Sequence, residues 1–136
     1  MTKIQAIYEG DLRCKAVHDL SNSEIFTDAP LDNCGKGESF SPTDLVAAAL
    51  LTCMATIMGI AAKNSKIDIC KFNMSVEKKM SKNLPRKISE LLVVFKMKNK
   101  YSKKEKEILN NAALTCPVHR SLNESIDIQV DFEWVN

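Results

Sequence analysis

The stretch of sequence that decides the fold is SPTDLVAAALLTCMATIMGIAA, residues 41–62. Ser41 can cap a helix, Pro42 then takes the first helical position, and Asp44 lies three residues after the cap. No charged side chain occurs among the eighteen residues 45–62. A helix that is apolar all round is normally a buried helix. The pattern therefore predicts a central helix that other elements enclose.

The same apolar run also meets the bare length criterion for a membrane span. However, Ala, Thr, Gly and Cys make up about half of it, and these residues contribute little to membrane insertion compared with Leu, Ile or Phe. The rest of the chain alternates like amphipathic strands and helices that need a core to bury. We therefore predict a buried helix and no membrane partner.

Composition narrows the class of protein. A chain of 136 residues can form a core without disulfides or a metal, and we predict one domain over residues 1–136. The formal net charge of +2 is too small to indicate nucleic acid binding. The first residues lack the apolar segment of a signal peptide, so we expect a cytoplasmic protein with mostly reduced cysteines. The five cysteines lack zinc-ligand spacing, and we expect neither a metal nor another cofactor.

Alternating apolar residues predict the strands around the helix. The predicted strands cover residues 3–10, 12–18, 23–29, 67–80, 86–98 and 125–135. The alternation slips near Cys70, which predicts a bulge there. Ser102 can cap a second helix that runs to Cys116. The order β-β-β-α-β-β-α-β with short connections predicts an α+β protein with an antiparallel sheet over helices.

Two of the five cysteines have a context that can support chemistry. Cys53 lies in the apolar helix, where a cysteine is more often a small core residue. Cys116 precedes a proline, and if a helical turn begins there, Cys116 is its N-cap. Backbone N–H groups and the helix dipole would then favour the thiolate and lower the pKa of this thiol. We interpret Cys14 and Cys70 as strand packing residues and Cys34 as a loop thiol.

Two cysteines on separate helices suit a thiol peroxidase, although position alone leaves plain structural roles open. One thiolate attacks the peroxide O–O bond and becomes a sulfenic acid, and a second thiol condenses with it to a disulfide. An external thiol then reduces the disulfide. Such a site needs a nearby cation that holds the thiolate and stabilises the departing alkoxide.

Three motifs resemble those of the OsmC/Ohr family of osmotically inducible and organic hydroperoxide resistance proteins. They are SPTDLVAAALLTCM at 41–54, AALTCPVHRSL at 112–122 and TDAPLDNCGKGESFSPTDL at 27–45. The resemblance covers most of the chain. It implies OsmC-like antiparallel sheets wrapped around central helices in an intertwined homodimer, with two active sites at the subunit interface. On this view the central helix is apolar all round because a partner chain covers it.

The resemblance also implies roles for individual residues. Cys53 matches the peroxide-reacting cysteine, and Cys116 matches the resolving cysteine with which it would form a disulfide. Arg13 matches the arginine that activates the thiolate, and Arg86 and Arg120 are its rivals.

One position departs from the pattern of the hydroperoxide resistance branch. That branch has a glutamate directly after the helix-opening proline, where this chain has Thr43. Glu38 or Asp44 can supply the missing carboxylate. The departure indicates a general OsmC-like branch.

The expected function is a thiol-dependent peroxidase that reduces organic hydroperoxides and is recycled by an external dithiol. An apolar pocket at the interface would favour alkyl hydroperoxides over hydrogen peroxide. The alternative is a non-catalytic dimer that senses redox state or binds a small ligand in the same pocket, with Cys53 as a reversible modification site.

Overall fold

The computed structural model describes residues 1–136 and divides into two compact units, Met1–Val46 and Ala47–Asn136. The elements of the first unit are β1 (Ile4–Gly10), β2 (Arg13–His18), β3 (Glu24–Asp28) and a 3-10 turn at Leu31–Asn33. Helix α1 (Pro42–Asn64) begins in the first unit and continues into the second. The remaining elements are β4 (Asn73–Met80), β5 (Ile88–Lys96), α2 (Lys103–Leu114), α3 (Pro117–Ser121) and β6 (Asp127–Glu133). The predicted α+β class is confirmed, with two small sheets rather than one.

The first unit holds an antiparallel sheet in the order β1-β2-β3. Gly10 has φ +85°, and Asp11 and Leu12 also have positive φ, which gives the tight turn between β1 and β2. The register of β2 and β3 places Arg13 opposite Asp28. Strand pairing therefore brings an acidic and a basic side chain together at one end of this sheet.

The second sheet has the order β4-β5-β6, and here the prediction of a fully antiparallel sheet is wrong. The hairpin strands β4 and β5 are antiparallel, but β6 runs parallel to β5 from Asp127 to Glu133. The physical reason is the helical connection between β5 and β6, since a crossover of this kind returns the chain to its original direction.

Two details of β4 also differ from the prediction. The strand begins at Asn73, so residues 67–72, including Cys70, precede it instead of belonging to it. The irregularity in the pairing lies at the other end of the strand, between Lys79 and Met80, rather than near Cys70. The apolar alternation that predicted a longer strand reflects burial of side chains such as Ile67, which does not require ladder pairing.

Helix α1 starts as its sequence predicts. The Ser41 hydroxyl accepts a hydrogen bond from the Asp44 N–H (3.1 Å), and the Asp44 carboxylate accepts one from the Ser41 N–H (2.9 Å). This reciprocal pair satisfies two backbone donors at the helix start. Ser102 and Glu105 form the same kind of capping box at the start of α2. Both predicted N-caps are confirmed.

One face of α1 is buried within the chain, and the opposite face is not. The buried residues recur every three or four positions: Ala47, Leu50, Met54, Met58 and Ala62. Exposed residues follow the same spacing on the other side: Ala49, Thr52, Thr56 and Ile60. We call this second set the exposed stripe of α1. None of its members is charged, so the helix presents an uncharged face outside the core of its own chain.

By length and composition, α1 is the single helix of the chain that could cross a membrane. Its most apolar eighteen residues have a mean hydropathy of 2.2, and 28% of them are buried. A core helix passes the same test, and the absence of a membrane partner stays a prediction.

Candidate functional site

The thiols of Cys53 and Cys116 lie next to each other in the second unit. Cys53 lies on α1 and is half-buried, whereas Cys116 lies between α2 and α3 and is fully buried. Both are reduced, and their side chains interact closely enough for the Cys53 thiol to affect the pKa of Cys116. Two cysteines that are 63 positions apart in sequence therefore form a thiol pair.

Cys116 is the N-cap of α3, as its position before a proline predicted. Its backbone is extended (φ −66°, ψ 148°), and its Sγ accepts a hydrogen bond from the His119 N–H at 3.3 Å. The predicted consequence for the thiol is wrong, however. Burial raises the pKa of Cys116, and the Cys53 thiol raises it further, while the His119 N–H lowers it. Loss of hydration outweighs the N-cap hydrogen bond because the sulfur is fully enclosed.

Arg13 lies in the first unit, at the start of β2, with 37% of its side chain exposed. Its guanidinium forms a hydrogen-bonded ion pair with the Glu38 carboxylate, and its Nη2 lies 3.7 Å from Asp28 Oδ2. The hydrogen bond to Glu38 is the largest cause that raises the pKa of Arg13 above its ordinary value. The side chain is therefore a permanent cation whose direction is set by two carboxylates.

Of the two acids offered as substitutes for the family glutamate, Glu38 is the one that the structure pairs with Arg13. Asp44 has a different role, because its carboxylate caps α1 through the Ser41 N–H. Thr43, at the departing position, lies with its hydroxyl 3.1 Å from the Ser41 hydroxyl. The carboxylate that pairs with Arg13 thus comes from the loop before α1 rather than from α1 itself.

The loop that carries Glu38 folds back tightly on the end of β3. The Gly35 N–H donates to the Pro30 carbonyl (3.0 Å), and the Gly37 N–H donates to the Ala29 carbonyl (3.2 Å). A Cβ on Gly35 would lie 1.6 Å from the Ala29 carbonyl oxygen, so no side chain fits there. Gly37 has φ +62°, a conformation that glycine adopts without strain. The close approach of the backbone at position 35 and the positive φ at position 37 therefore explain why both residues are glycine.

Asp28 belongs to the same cluster, and sequence reasoning did not identify it. Its residue surface is 1% exposed, and its Oδ2 accepts a hydrogen bond from the Glu38 N–H at 3.0 Å. The available signal was an acidic residue at the end of a strand that pairs with the strand of Arg13. A cavity of about 240 Å³ adjoins the cluster. Its lining consists of Glu9, Arg13, Cys14, Phe26, Thr27, Asp28, Glu38 and Ser39.

The rival arginines lie at the surface, whereas Cys14 and Cys34 belong to the first unit. Arg86 is exposed in the turn between β4 and β5, and Arg120 is exposed in the last turn of α3. Cys14 is half-buried in β2 and Cys34 is exposed in the loop, in agreement with their predicted roles. No group of three or more His, Cys, Asp or Glu residues in the chain could hold a metal ion.

Comparisons with known proteins match the chain to a family. The profile of the OsmC-like protein family matches residues 35–131. A Psychrobacter arcticus 273-4 protein, named for an osmotic stress and detoxification response, is 45% identical, with 98% of this chain and 96% of that chain covered and a TM-score of 0.92. A search of curated proteins found no significant match.

Two more distant structures share the fold. The OsmC-like protein of Mycoplasma pneumoniae is 22% identical, covers 100% of this chain and 98% of its own, and has a TM-score of 0.83. The organic hydroperoxide resistance protein OhrB of Bacillus subtilis is 20% identical, covers 98% of each chain and has a TM-score of 0.73. The profile match spans well over half of the residues, and the chain therefore belongs to the OsmC-like protein family, in its general branch.

Proposed function

We propose that this protein is a thiol-dependent peroxidase that reduces organic hydroperoxides. The observation that carries the proposal is the thiol pair of Cys53 and Cys116. The fold supports it, because the organic hydroperoxide resistance protein of Bacillus subtilis has the same fold. The half-buried Cys53 is accessible to a substrate, whereas the fully buried Cys116 is accessible mainly to its neighbour.

The proposed reaction has three steps. The Cys53 thiolate attacks the outer oxygen of the hydroperoxide, the O–O bond breaks, and the products are a Cys53 sulfenic acid and an alkoxide that takes up a proton as the alcohol. Cys116 then attacks the Cys53 sulfur, which releases water and forms a disulfide. An external dithiol transfers two electrons to the disulfide by exchange and leaves both cysteines as thiols.

Arg13 is the cation that we propose for the first step. A thiolate in an apolar site needs an opposing charge, and the same charge stabilises the alkoxide as it departs. The carboxylates of Glu38 and Asp28 together limit the direction of the guanidinium, which suits a group that must meet the Cys53 thiolate in every catalytic cycle. This role rests on the family resemblance and on the local geometry of Arg13.

We further propose that the protein works as a homodimer. The exposed stripe of α1 is uncharged, and large apolar residues of the β1-β2-β3 sheet are also exposed: Ile4, Ile7, Tyr8, Ile25 and Phe26. Apolar surfaces of this kind usually mark an interface. A second copy would supply the cover that the resemblance implies and would enclose an apolar pocket for alkyl substrates. We place the reaction in the cytoplasm, where a dithiol reductant is available.

The test is turnover of cumene hydroperoxide with dithiothreitol as reductant. Cys53→Ser should abolish consumption, because the attacking thiol is lost. Cys116→Ser should allow one turnover to the sulfenic acid without recycling through the disulfide. Cys34→Ser, which removes an exposed loop thiol, is the matched control and should behave as wild type. Full steady-state rates in both Cys53→Ser and Cys116→Ser would exclude the mechanism.

The cation is tested by stopped-flow oxidation of Cys53. Arg13→Ala should slow the reaction by roughly two orders of magnitude, as loss of one electrostatic stabiliser does. Arg13→Lys should recover only part of the rate, since a point charge does not reproduce the planar guanidinium whose Nη2 binds Glu38. An unchanged rate in Arg13→Ala would transfer the role to Arg86 or Arg120.

A second candidate function is a non-catalytic redox sensor or small-ligand-binding dimer. The raised pKa of Cys116 favours it, because a resolving thiol that stays protonated leaves the Cys53 sulfenic acid long-lived. A ligand-binding module would show no sustained peroxide consumption with dithiothreitol present. Steady turnover would exclude this second function.

A further inference from the structure

We propose that Asp28 is the residue that positions the Arg13–Glu38 pair, and this inference rests on the proposed function. Asp28 is the cross-strand partner of Arg13 in the β2–β3 register, so the backbone itself brings the two side chains together. Asp28 is 1% exposed, whereas Arg13 and Glu38 have side chains that are 37% and 58% exposed. The buried acid is thus the fixed member of the cluster.

The hydrogen bonds of Asp28 show why a charge is placed there. Its Oδ2 accepts the Glu38 N–H, while its Oδ1 is buried without a hydrogen-bond partner. An asparagine could accept the same N–H without the cost of burying a charge. Among the contacts of Asp28, only the guanidinium of Arg13, at 3.7 Å, requires a negative charge. The negative charge of Asp28 therefore acts on Arg13.

The Arg13–Glu38 pair would not hold its direction without this support. Exposed ion pairs contribute little, because both side chains lose rotamer freedom and water screens the charges. Asp28 constrains both members at once. It attracts the guanidinium directly, and it holds the backbone of Glu38 through the N–H. The Asp28 N–H also donates to the Phe40 carbonyl at 3.0 Å, which ties the end of this loop to β3.

Asp28→Asn tests the proposal because it keeps the shape and the acceptor but removes the charge. We expect the rate of Cys53 oxidation by cumene hydroperoxide to fall roughly 10- to 100-fold, as small misplacements of a reacting group do. Glu24→Gln is the matched control: it changes an acid to an amide on the same strand, next to Lys15 rather than Arg13, and should leave the rate unchanged. An unchanged or increased rate in Asp28→Asn would overturn the proposal.

The double variant Arg13→Ala/Asp28→Asn separates positioning from general structure. If Asp28 acts through Arg13, Asp28→Asn has no further effect on the rate once Arg13 is alanine. A further loss in that background would overturn the proposal in favour of a structural role. If Asp28→Asn does not fold, Asp28→Thr takes its place, since its hydroxyl can accept the Glu38 N–H and carries no charge.

A readout that needs no activity separates this inference from the proposed function. In the NMR spectrum of the wild-type protein, the guanidinium nitrogens of Arg13 should give separate signals because rotation of the group is restricted. In Asp28→Asn the group should rotate freely, and these signals should average. Equal restriction in both proteins overturns the role of Asp28, whatever the enzyme does. Wild-type protein that is not oxidised by cumene hydroperoxide would overturn the proposed function, while the resonances would still decide the role of Asp28.

Discussion

At the scale of single residues, Cys116 combines two opposing influences on one sulfur. The N-cap hydrogen bond from His119 favours the thiolate, while burial favours the neutral thiol, and burial is the larger effect. At this helix start the pKa is therefore not lowered, because the enclosed sulfur lacks the hydration that stabilises a thiolate. In this chain the position before proline serves first as a structural cap.

The raised pKa of Cys116 predicts the pH dependence of disulfide formation. At neutral pH the thiol is protonated, and only the thiolate attacks the Cys53 sulfenic acid. The rate should therefore rise about tenfold per pH unit between pH 6 and 8. Rapid quenching with a sulfenic acid reagent measures it, and Cys116→Ser provides the oxidation step alone as control. A rate of disulfide formation that is flat over this range would contradict the assignment.

The raised pKa of Cys116 also predicts how the free energy of unfolding changes with pH. The folded chain binds the thiol proton of Cys116 more tightly than the unfolded chain does. This contribution to the free energy of unfolding is therefore complete below the ordinary thiol pKa of about 8.5 and is lost as the pH rises from there through the raised value. Cys116→Ser should lack this component in urea unfolding measured at pH 7 and pH 10. An identical decrease in both proteins would show that other groups cause it.

At the scale of elements, the loop between β3 and α1 determines where the carboxylate of Glu38 lies. Gly35→Ala should displace this loop, because the added Cβ meets the backbone carbonyl of Ala29 rather than a flexible side chain. We expect a loss of roughly 1–3 kcal/mol in the free energy of unfolding, the usual range for overpacking. Urea unfolding measures the loss. Lys36→Ala, at the exposed position between the two glycines, should be neutral, and an equal loss in both variants would contradict the steric explanation.

Much of the secondary structure could be predicted because local signals determine it. The caps at Ser41 and Ser102 and the alternation from Ile126 to Trp134 act within a few residues, and the structure confirms them. The parallel pairing of β6 was missed because strand direction depends on how a distant crossover docks. For the same reason Asp28 was overlooked: its role depends on the register of two strands, which no local pattern reports.

At the scale of the whole molecule, the exposed apolar surfaces predict an obligate dimer. Sedimentation at micromolar concentration should show no stable monomer in wild type. Ile60→Asp should weaken association. Ile60 is 51% exposed in the exposed stripe of α1, and formation of the dimer would bury the aspartate charge there without a partner. Leu84→Asp is the matched control, since Leu84 is 91% exposed in the turn between β4 and β5. A folded wild-type monomer, or equal behaviour of the two variants, would contradict the dimer.

The parallel neighbours β5 and β6 have a consequence for newly made chains. The β4–β5 hairpin closes over a short turn, whereas β6 can join only after the whole crossover from Met97 to Ile126 has closed, which is the slower event. Cys116 lies on that crossover, 63 positions after Cys53, so the two thiols can meet only once the crossover packs against α1. Until then, an oxidised Cys53 has no partner and can proceed to irreversible acids. On the proposed chemistry, a chain whose crossover has not yet docked is therefore open to over-oxidation at Cys53 by the substrate that the folded protein reduces.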